Sequence, residues 1–193
     1  MKVQIDKTYP MPSSPEVAWE FLQDLEAVAA CMPGARITER LEGDRFKGTV
    51  AVKVGPASMS FRGEVEMKDV DPAARTLRLI AKGTDSTGSS AASMDVSARI
   101  EVADGKLCAL VGASQVSMSG KAATFGGRMM DSVADQVLKQ FAANFAGQVS
   151  ARQAQRGAPA PVPPPAATEL NGLAILWAAF KEWLRGLFSR NPA

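Results

Sequence analysis

The stretch that decides the fold is Gly120 to Val149, GKAATFGGRMMDSVADQVLKQFAANFAGQV. Large apolar residues recur in it at every fourth position, namely Phe125, Met129, Val133, Val137, Phe141 and Phe145. This spacing predicts one apolar stripe along a single amphipathic helix. At 1.5 Å per residue the helix would span roughly 40 Å, which is enough to cross a small sheet. We therefore expect a long helix that covers one face of a sheet.

The chain before this helix supplies the sheet. Lys2 to Tyr9 alternates apolar and polar residues, which predicts a first strand. Ser13-Ser14-Pro15-Glu16 then starts a helix, with a serine N-cap, proline at the first helical position and an acid in the first turn. Proline and glycine in Met32-Pro33-Gly34 end the helical part. From Ala35 to Ser119 the apolar pattern has a period of two, which predicts about six further strands.

Short polar turns separate these strands, at Gly55-Pro56, Asp71-Pro72, Thr84 to Ser90 and Asp104-Gly105. Links of hairpin length make the sheet an antiparallel meander with one face to cover. The predicted fold class is therefore α+β with a helix-grip arrangement. A curved antiparallel sheet of about seven strands wraps around a long C-terminal helix, and two short helices follow the first strand.

The composition changes abruptly after Val149, and this defines the domain organisation. Residues 1–150 are predicted to form one ligand-binding domain. Residues 151–168 are rich in proline and alanine, which is typical of an extended linker. Residues 169–190 predict an amphipathic helix that lies in the membrane interface, because its charges interrupt the apolar run well short of a span. Docking of this helix in a partner's groove, or self-association, is the alternative.

The apolar arc of that tail helix is rich in large side chains, which would be its membrane anchor: Leu173, Leu176, Trp177, Phe180, Trp183, Leu184, Leu187 and Phe188.

The composition also limits the chemistry. The chain has no histidine, which removes the commonest general base and the commonest metal ligand. Cys31 and Cys108 lack partners at metal-ligand spacing, and we expect two buried thiols in a reducing cytoplasm, with a disulfide as the alternative. The serines between Ser86 and Ser93 have no base beside them and are expected to form turns. We therefore expect no catalytic residue, no metal site and no intrinsic cofactor.

Small residues at inward strand positions raise the question of how the interior is filled; they are Gly48, Gly63, Ala81, Gly83, Ala98 and Gly112. One interpretation is an apolar cavity that a guest molecule fills. The other is a packed core in which the glycines serve the curvature of the sheet. The candidate cavity residues are Val52, Phe61, Met94, Val96, Val116, Met118, Phe125, Met129 and Val133. The candidate portal is formed by Met32, Pro33, Gly34, Gly126 and Gly127, where the backbone can flex.

Several segments, in order, resemble the CoxG family of carbon monoxide dehydrogenase proteins, which belongs to the START-like (SRPBCC) helix-grip superfamily. They are CMPGA (Cys31–Ala35), VGPASMSFRGEVEM (Val54–Met67), DPAAR (Asp71–Arg75) and GKAATFGGRMMDSVADQVLKQFAANF (Gly120–Phe145). The resemblance covers residues 1 to 149. It implies an apolar cavity between sheet and helix, and association with a molybdenum-containing hydroxylase of the carbon monoxide dehydrogenase type.

The resemblance also suggests a lipid-soluble quinone, ubiquinone or menaquinone, as the guest. The leading hypothesis is a non-enzymatic carrier, attached peripherally to the cytoplasmic membrane, that presents the quinone to its redox partner. A second hypothesis is a protein that recruits or assembles the partner enzyme and binds nothing small. A third, a cyclase-like enzyme, would need a polar group inside the cavity, and Ser114 or Gln115 are the residues whose register decides this.

Overall fold

The structure is a computed structural model that describes residues 1–54, 57–103 and 107–157. Within these ranges one sheet has seven strands in the order β1-β7-β6-β5-β4-β3-β2. The elements in chain order are β1 (Lys2–Met11), α1 (Pro15–Gln23), α2 (Leu25–Cys31), β2 (Ala35–Arg40), β3 (Arg45–Val54), β4 (Ala57–Asp71), β5 (Thr76–Asp85), β6 (Ser90–Val102), β7 (Cys108–Gly120), a 3-10 helix (Lys121–Phe125) and α3 (Gly127–Gly157).

Every neighbouring pair of strands is antiparallel, and β1 closes the order by pairing with β7. Residues directly opposite each other share one face of a sheet, so the register defines an inner face that packs on α3 and an outer face. One cross-strand row on the inner face is apolar over six strands: Val3, Val116, Met94, Ala81, Val65 and Phe46. The predicted α+β helix-grip class is confirmed.

Each of the two short helices begins at a residue whose side chain caps it. Ser14 is the N-cap of α1, and its hydroxyl accepts a hydrogen bond from the Val17 backbone N–H at 3.4 Å. Asp24 ends α1 and caps α2, since its carboxylate accepts from the Ala27 backbone N–H at 3.1 Å. As expected from Met32-Pro33, α2 ends at Cys31.

The densest part of the core lies where α1, α2 and the second half of α3 meet the sheet. Phe21 and Phe145 pack edge to face with ring centroids 4.8 Å apart. Both side chains are essentially inaccessible to solvent. The inner-face residues that complete this cluster are Met11, Leu77, Ala98, Ile100, Cys108 and Leu110. We call this part of the inner face the core half.

The long helix differs from the prediction at its beginning. Gly126, with φ +79°, separates the 3-10 helix from α3, so Phe125 does not belong to the α-helix. The prediction of a single apolar stripe was wrong for a geometric reason. A repeat of four residues drifts by about 40° per step on a helix of 3.6 residues per turn, so the pattern winds around the helix. Met129 is accordingly 42% exposed, whereas Met130 is 7% exposed.

At its other end α3 continues to Gly157, so residues 151–157 of the predicted linker are helical. The chain offers neither proline nor glycine between Val149 and Arg156, and polar contacts hold this last part. Arg152 pairs with Asp24 at 3.2 Å, and the Gln153 side chain accepts from the Ser14 backbone N–H at 3.0 Å.

Several predictions lie outside the described residues: the turns at Gly55-Pro56 and Asp104-Gly105, the linker from residue 158 and the tail helix at 169–190. Within residues 1–54, 57–103 and 107–157, no helix combines the length and the apolar character needed to cross a bilayer.

Asp24→Ala should lower the free energy of unfolding by about 1 kcal/mol, because the α2 N-terminus loses its side-chain cap. Asp24→Asn is the matched control. It keeps an oxygen for the Ala27 N–H and loses only the exposed pair with Arg152, so it should stay within about 0.5 kcal/mol of wild type. Urea unfolding of the three proteins measures both. Equal losses in the two variants would assign the effect to the ion pair instead of the cap.

Candidate functional site

The inner face is buried at one end and only half-buried at the other. Leu77, Ile100 and Leu110 of the core half are 2–5% exposed. Toward the opposite strand ends, which we call the open half, the inner face remains apolar but its side chains keep contact with solvent. Met94, for example, is half-buried, and Val50 reaches 37% exposure. The open half therefore presents apolar surface that the described residues do not cover.

The structure places all six predicted cavity residues of the sheet on this inner face. Met94 lies directly opposite both Ala81 and Val116. The other pairs are Val52 with Met59, Phe61 with Val50, Val96 with Leu79 and Met118 with Ala92. The predicted positions on the helical side differ more. Phe125 and Val133 are half-buried, and Met129 is exposed while Met130 is buried.

Three glycines form a cross-strand row that makes the sheet bend. Gly48 lies opposite Gly63, and Gly63 lies opposite Gly83. A Cβ at Gly63 would come within 2.0 Å of the Lys82 carbonyl oxygen, and one at Gly83 within 2.8 Å of the Arg62 carbonyl oxygen. These glycines are therefore needed for close approach of backbones, which supports the curvature interpretation at this row.

Gly112 behaves differently from that row. It lies on the inner face, opposite Lys7 and Ala98. A Cβ built there would meet no atom within 4 Å. The missing side chain at Gly112 therefore corresponds to open space, as the cavity interpretation requires.

Polar groups also reach the inner face. Ser114 faces inward, opposite Ile5 and Val96, whereas Gln115 faces outward. Lys7 stands in the apolar register of β1 and bridges to Asp135 of α3 at 2.8 Å. The hydrogen bond between them raises the pKa of Lys7 and lowers the pKa of Asp135. Sequence reasoning missed this pair, although a lysine among Val3, Ile5 and Tyr9 was a signal for it.

The two parts of the predicted portal contact different parts of α3. The carbonyl of Cys31, next to Met32-Pro33-Gly34, accepts a hydrogen bond at 2.9 Å from the side chain of Asn144. Asn144 lies about 25 Å along the α3 axis from Gly127. Gly34 has φ +76° and packs against the backbone of Ala51. Gly126-Gly127 instead forms the break before α3 at the open half.

The serine-rich hairpin between β5 and β6 is a turn, as predicted. The Asp85 carboxylate accepts hydrogen bonds from the hydroxyls of Thr87 and Ser89 and from the backbone N–H of Ser90. The bond from Thr87 is the main reason that the pKa of Asp85 is lowered. The buried Ser90 hydroxyl accepts from the Ala122 backbone N–H at 3.0 Å, which attaches the hairpin to the 3-10 helix.

Neither thiol points to chemistry. Cys31 and Cys108 are free and buried, and burial raises the pKa of both thiols above its usual range. Raised values keep a thiol protonated and unreactive at neutral pH. In the part of the chain that the structure describes, no three side chains of His, Cys, Asp or Glu are grouped so that they could hold a metal ion.

The outer face carries a broad open groove of about 1020 Å³. It is lined chiefly by charged and hydroxyl side chains, including Arg62, Lys82, Thr84, Ser93, Ser117 and Ser119. A second depression, of about 370 Å³, lies beside β2 between Glu26 and Arg40.

Comparison with protein families gives a match over residues 9–150 to the model of CoxG, the G subunit of carbon monoxide dehydrogenase. This is well over half of the 193 residues. The comparison with curated proteins gives no significant match.

Solved structures support the fold. A conserved protein from Geobacillus kaustophilus is similar with a TM-score of 0.69 at 17% identity, over 77% of this chain and 96% of that one. The Zhui aromatase/cyclase from Streptomyces sp. R1128 gives 0.57 at 16% identity, over 79% and 96%. A START superfamily protein from Mycobacterium smegmatis gives 0.54 at 18% identity, over 77% and 98%. At these identities the likeness shows the fold alone.

Proposed function

Because this chain belongs to the CoxG family of carbon monoxide dehydrogenase proteins, we propose that it is a non-enzymatic carrier of a lipid-soluble quinone. The carrier takes ubiquinone, menaquinone or a similar lipid-like molecule from the membrane. It presents this molecule to a molybdenum-containing oxidoreductase of the carbon monoxide dehydrogenase type. The tail helix at 169–190 holds the domain peripherally at the cytoplasmic membrane.

One observation carries the proposal: the open half of the inner face is apolar and only half-buried. Met94, Val116 and Phe61 lie on it, and Gly112, opposite Ala98, leaves open space at its border with the core half. A guest that removes about 300 Å² of apolar surface from water would gain about 7 kcal/mol before the costs of ordering. An isoprenoid chain supplies such a surface, and the few inward polar groups suit one carbonyl-bearing head.

Organic extraction of the purified full-length protein, followed by mass spectrometry, tests the proposal directly. We expect an isoprenoid quinone in the extract, in an amount comparable with that of the protein. An extract free of lipid-like molecules, from protein purified without detergent, would contradict the carrier function.

Val116→Asp should reduce the quinone that co-purifies with the protein by about tenfold or more, since a carboxylate in the apolar site must be desolvated by the guest. Val111→Asp is the matched control. Val111 lies on the same strand but on the outer face, opposite Arg99 and Thr8, so it should leave the quinone content unchanged. Thermal unfolding shows whether both variants are folded.

Gly112→Val is a second variant, which occupies the open space without adding a charge. It should also lower the quinone content. If neither inner-face variant changes it while both stay folded, the guest binds elsewhere.

The runner-up function is a recruitment or assembly factor that binds nothing small. Deletion of residues 168–193 distinguishes the two. A carrier without its tail should keep its quinone and lose delivery from the membrane, whereas a pure tether should lose every effect on its partner enzyme and contain no quinone in either form.

A further inference from the structure

The charges of the outer face are distributed unevenly between its two ends. Near the core half, each cation has a carboxylate partner: Arg78 donates to Asp95 at 2.8 and 2.5 Å, and Arg99 bridges to Glu101 at 2.6 Å. Lys68 likewise bridges to Glu66 at 3.1 Å. This end of the outer face is therefore neutralised internally.

The other end carries cations that form no ion pair with the described residues, and we call it the basic patch: Lys2, Arg36, Lys53, Arg62 and Lys82. Register places three of them close together, since Arg36 and Arg62 both lie opposite Thr49, and Lys82 lies two residues before Thr84, the partner of Arg62. Lys2, opposite Ser117, and Lys53, four residues beyond Thr49 on β3, lie at the margins of the patch. Two carboxylates line the same groove. Glu64, directly opposite Lys82, is already bound to Arg45 at 2.7 Å, and Glu66 is bound to Lys68 at 3.1 Å.

Hydroxyl groups fill the space between these cations. Ser93 lies directly opposite both Lys82 and Ser117. Together with Arg62 they line the groove of about 1020 Å³. Guanidinium and ammonium groups beside several hydroxyls form a surface for phosphate oxygens, which accept hydrogen bonds from both.

The basic patch borders the opening of the open half. The exposed apolar residues Val50 and Met129, at 37% and 42%, lie at this same end of the molecule. Across the opening, Lys121 and Arg128 are also exposed and form no ion pair within the described ranges. Of the carboxylates here, Asp85 is held by its own hairpin, and Asp131 is exposed on α3.

From this arrangement we propose that the folded domain carries its own docking surface for an anionic bilayer, formed by the basic patch, separate from the tail helix. Its phosphate-binding side chains lie beside the opening, so docking brings the apolar inner face to the lipid. The role of this docking, delivery of a guest to or from the membrane, rests on the proposed carrier function. Docking itself requires no guest. A lipid surface fits better than an acidic protein because exposed apolar side chains border the cations.

The test uses the full-length chain and quinone-free vesicles, either of phosphatidylcholine alone or of equal parts phosphatidylcholine and phosphatidylglycerol. The variant Arg62→Gln/Lys82→Gln removes two cations of the patch. The matched control Arg78→Gln/Arg99→Gln removes the same net charge from two residues that do not line the groove, about 13 Å or more away along the strands and beyond a Debye length in ordinary salt. Co-sedimentation measures the binding of all three proteins.

We expect wild type to prefer the anionic vesicles, and the patch variant to bind them about 25-fold more weakly, since each cation near such a surface contributes about a factor of five. The control should stay within about twofold of wild type, and all three should bind neutral vesicles equally. About 1 M salt should abolish the difference.

Equal losses in both variants would reduce the effect to net charge and overturn the proposal. Vesicle binding that is the same for the patch variant and wild type would also overturn it. If, in that case, wild type binds a polyglutamate matrix and the patch variant does not, the patch binds an acidic protein instead. Because the vesicles contain no quinone, a negative result in this experiment does not contradict the carrier function. Likewise, an extract without quinone would not contradict docking on the bilayer.

Discussion

Phe145→Ala is expected to lower the free energy of unfolding by about 3–5 kcal/mol. The side chain of Phe145 is inaccessible to solvent and packs edge to face on Phe21 at 4.8 Å. Its removal leaves a cavity where α1, α3 and the sheet meet, and close-packed surroundings collapse into such a cavity only in part. Urea unfolding followed by circular dichroism measures the loss.

Phe125→Ala is the matched control for this prediction. Phe125 precedes α3 and is only half-buried at the open half, so its truncation should cost about 1–2 kcal/mol. Phe125→Ala should clearly lower the quinone content of the protein while it changes the free energy of unfolding only by this small amount. If the two truncations destabilise the protein equally, the open half is packed as densely as the core half, and the carrier proposal loses its main support.

Gly63→Ala is expected to destabilise the protein by about 3 kcal/mol, a large effect for one methyl group. The added Cβ would meet the Lys82 carbonyl oxygen at 2.0 Å and the Gly83 Cα at 2.6 Å. Both neighbours are backbone atoms of β5, so only a shift of the strand relieves the contact. Gly63 does not have a positive φ, so the expected loss comes from this contact and not from backbone strain.

Gly112→Ala provides the comparison on the same face of the sheet. A Cβ there meets nothing within 4 Å, and Gly112 does not have a positive φ. This substitution should be neutral, or stabilise by about 0.5 kcal/mol through the unfolded state. Similar losses at both glycines, measured by thermal and urea unfolding, would show that Gly112 does not border open space.

The sequence predicted the strands well because their signal is local. Alternation between one covered and one exposed face repeats every two residues, and each turn carries its own polar or glycine signal. The same parity placed Phe61, Met94 and Val116 on the inner face before their partners were known. The helix was harder to predict, because a repeat of four residues agrees with a helical face over one turn and departs from it over several. For this reason Met130 is buried and Met129 is exposed, the reverse of the prediction.

The role of the glycines could not be read from the sequence. Gly63 and Gly112 are both glycines at inward strand positions, yet one touches the backbone of the next strand and the other faces open space. The difference depends on the local bend of the sheet, which is a property of three strands together. The bridge from Lys7 to Asp135 likewise joins residues far apart in the chain.

By itself the sequence determined the element order, the meander, the covering helix and the family, since each of these follows from periodicities and motifs within short segments of the chain. Only the tertiary structure decided where the interior is filled and where it stays open, and which cations of the outer face form no ion pair within the described part of the chain. Both depend on distances between strands that the chain brings together only when the sheet bends around its helix.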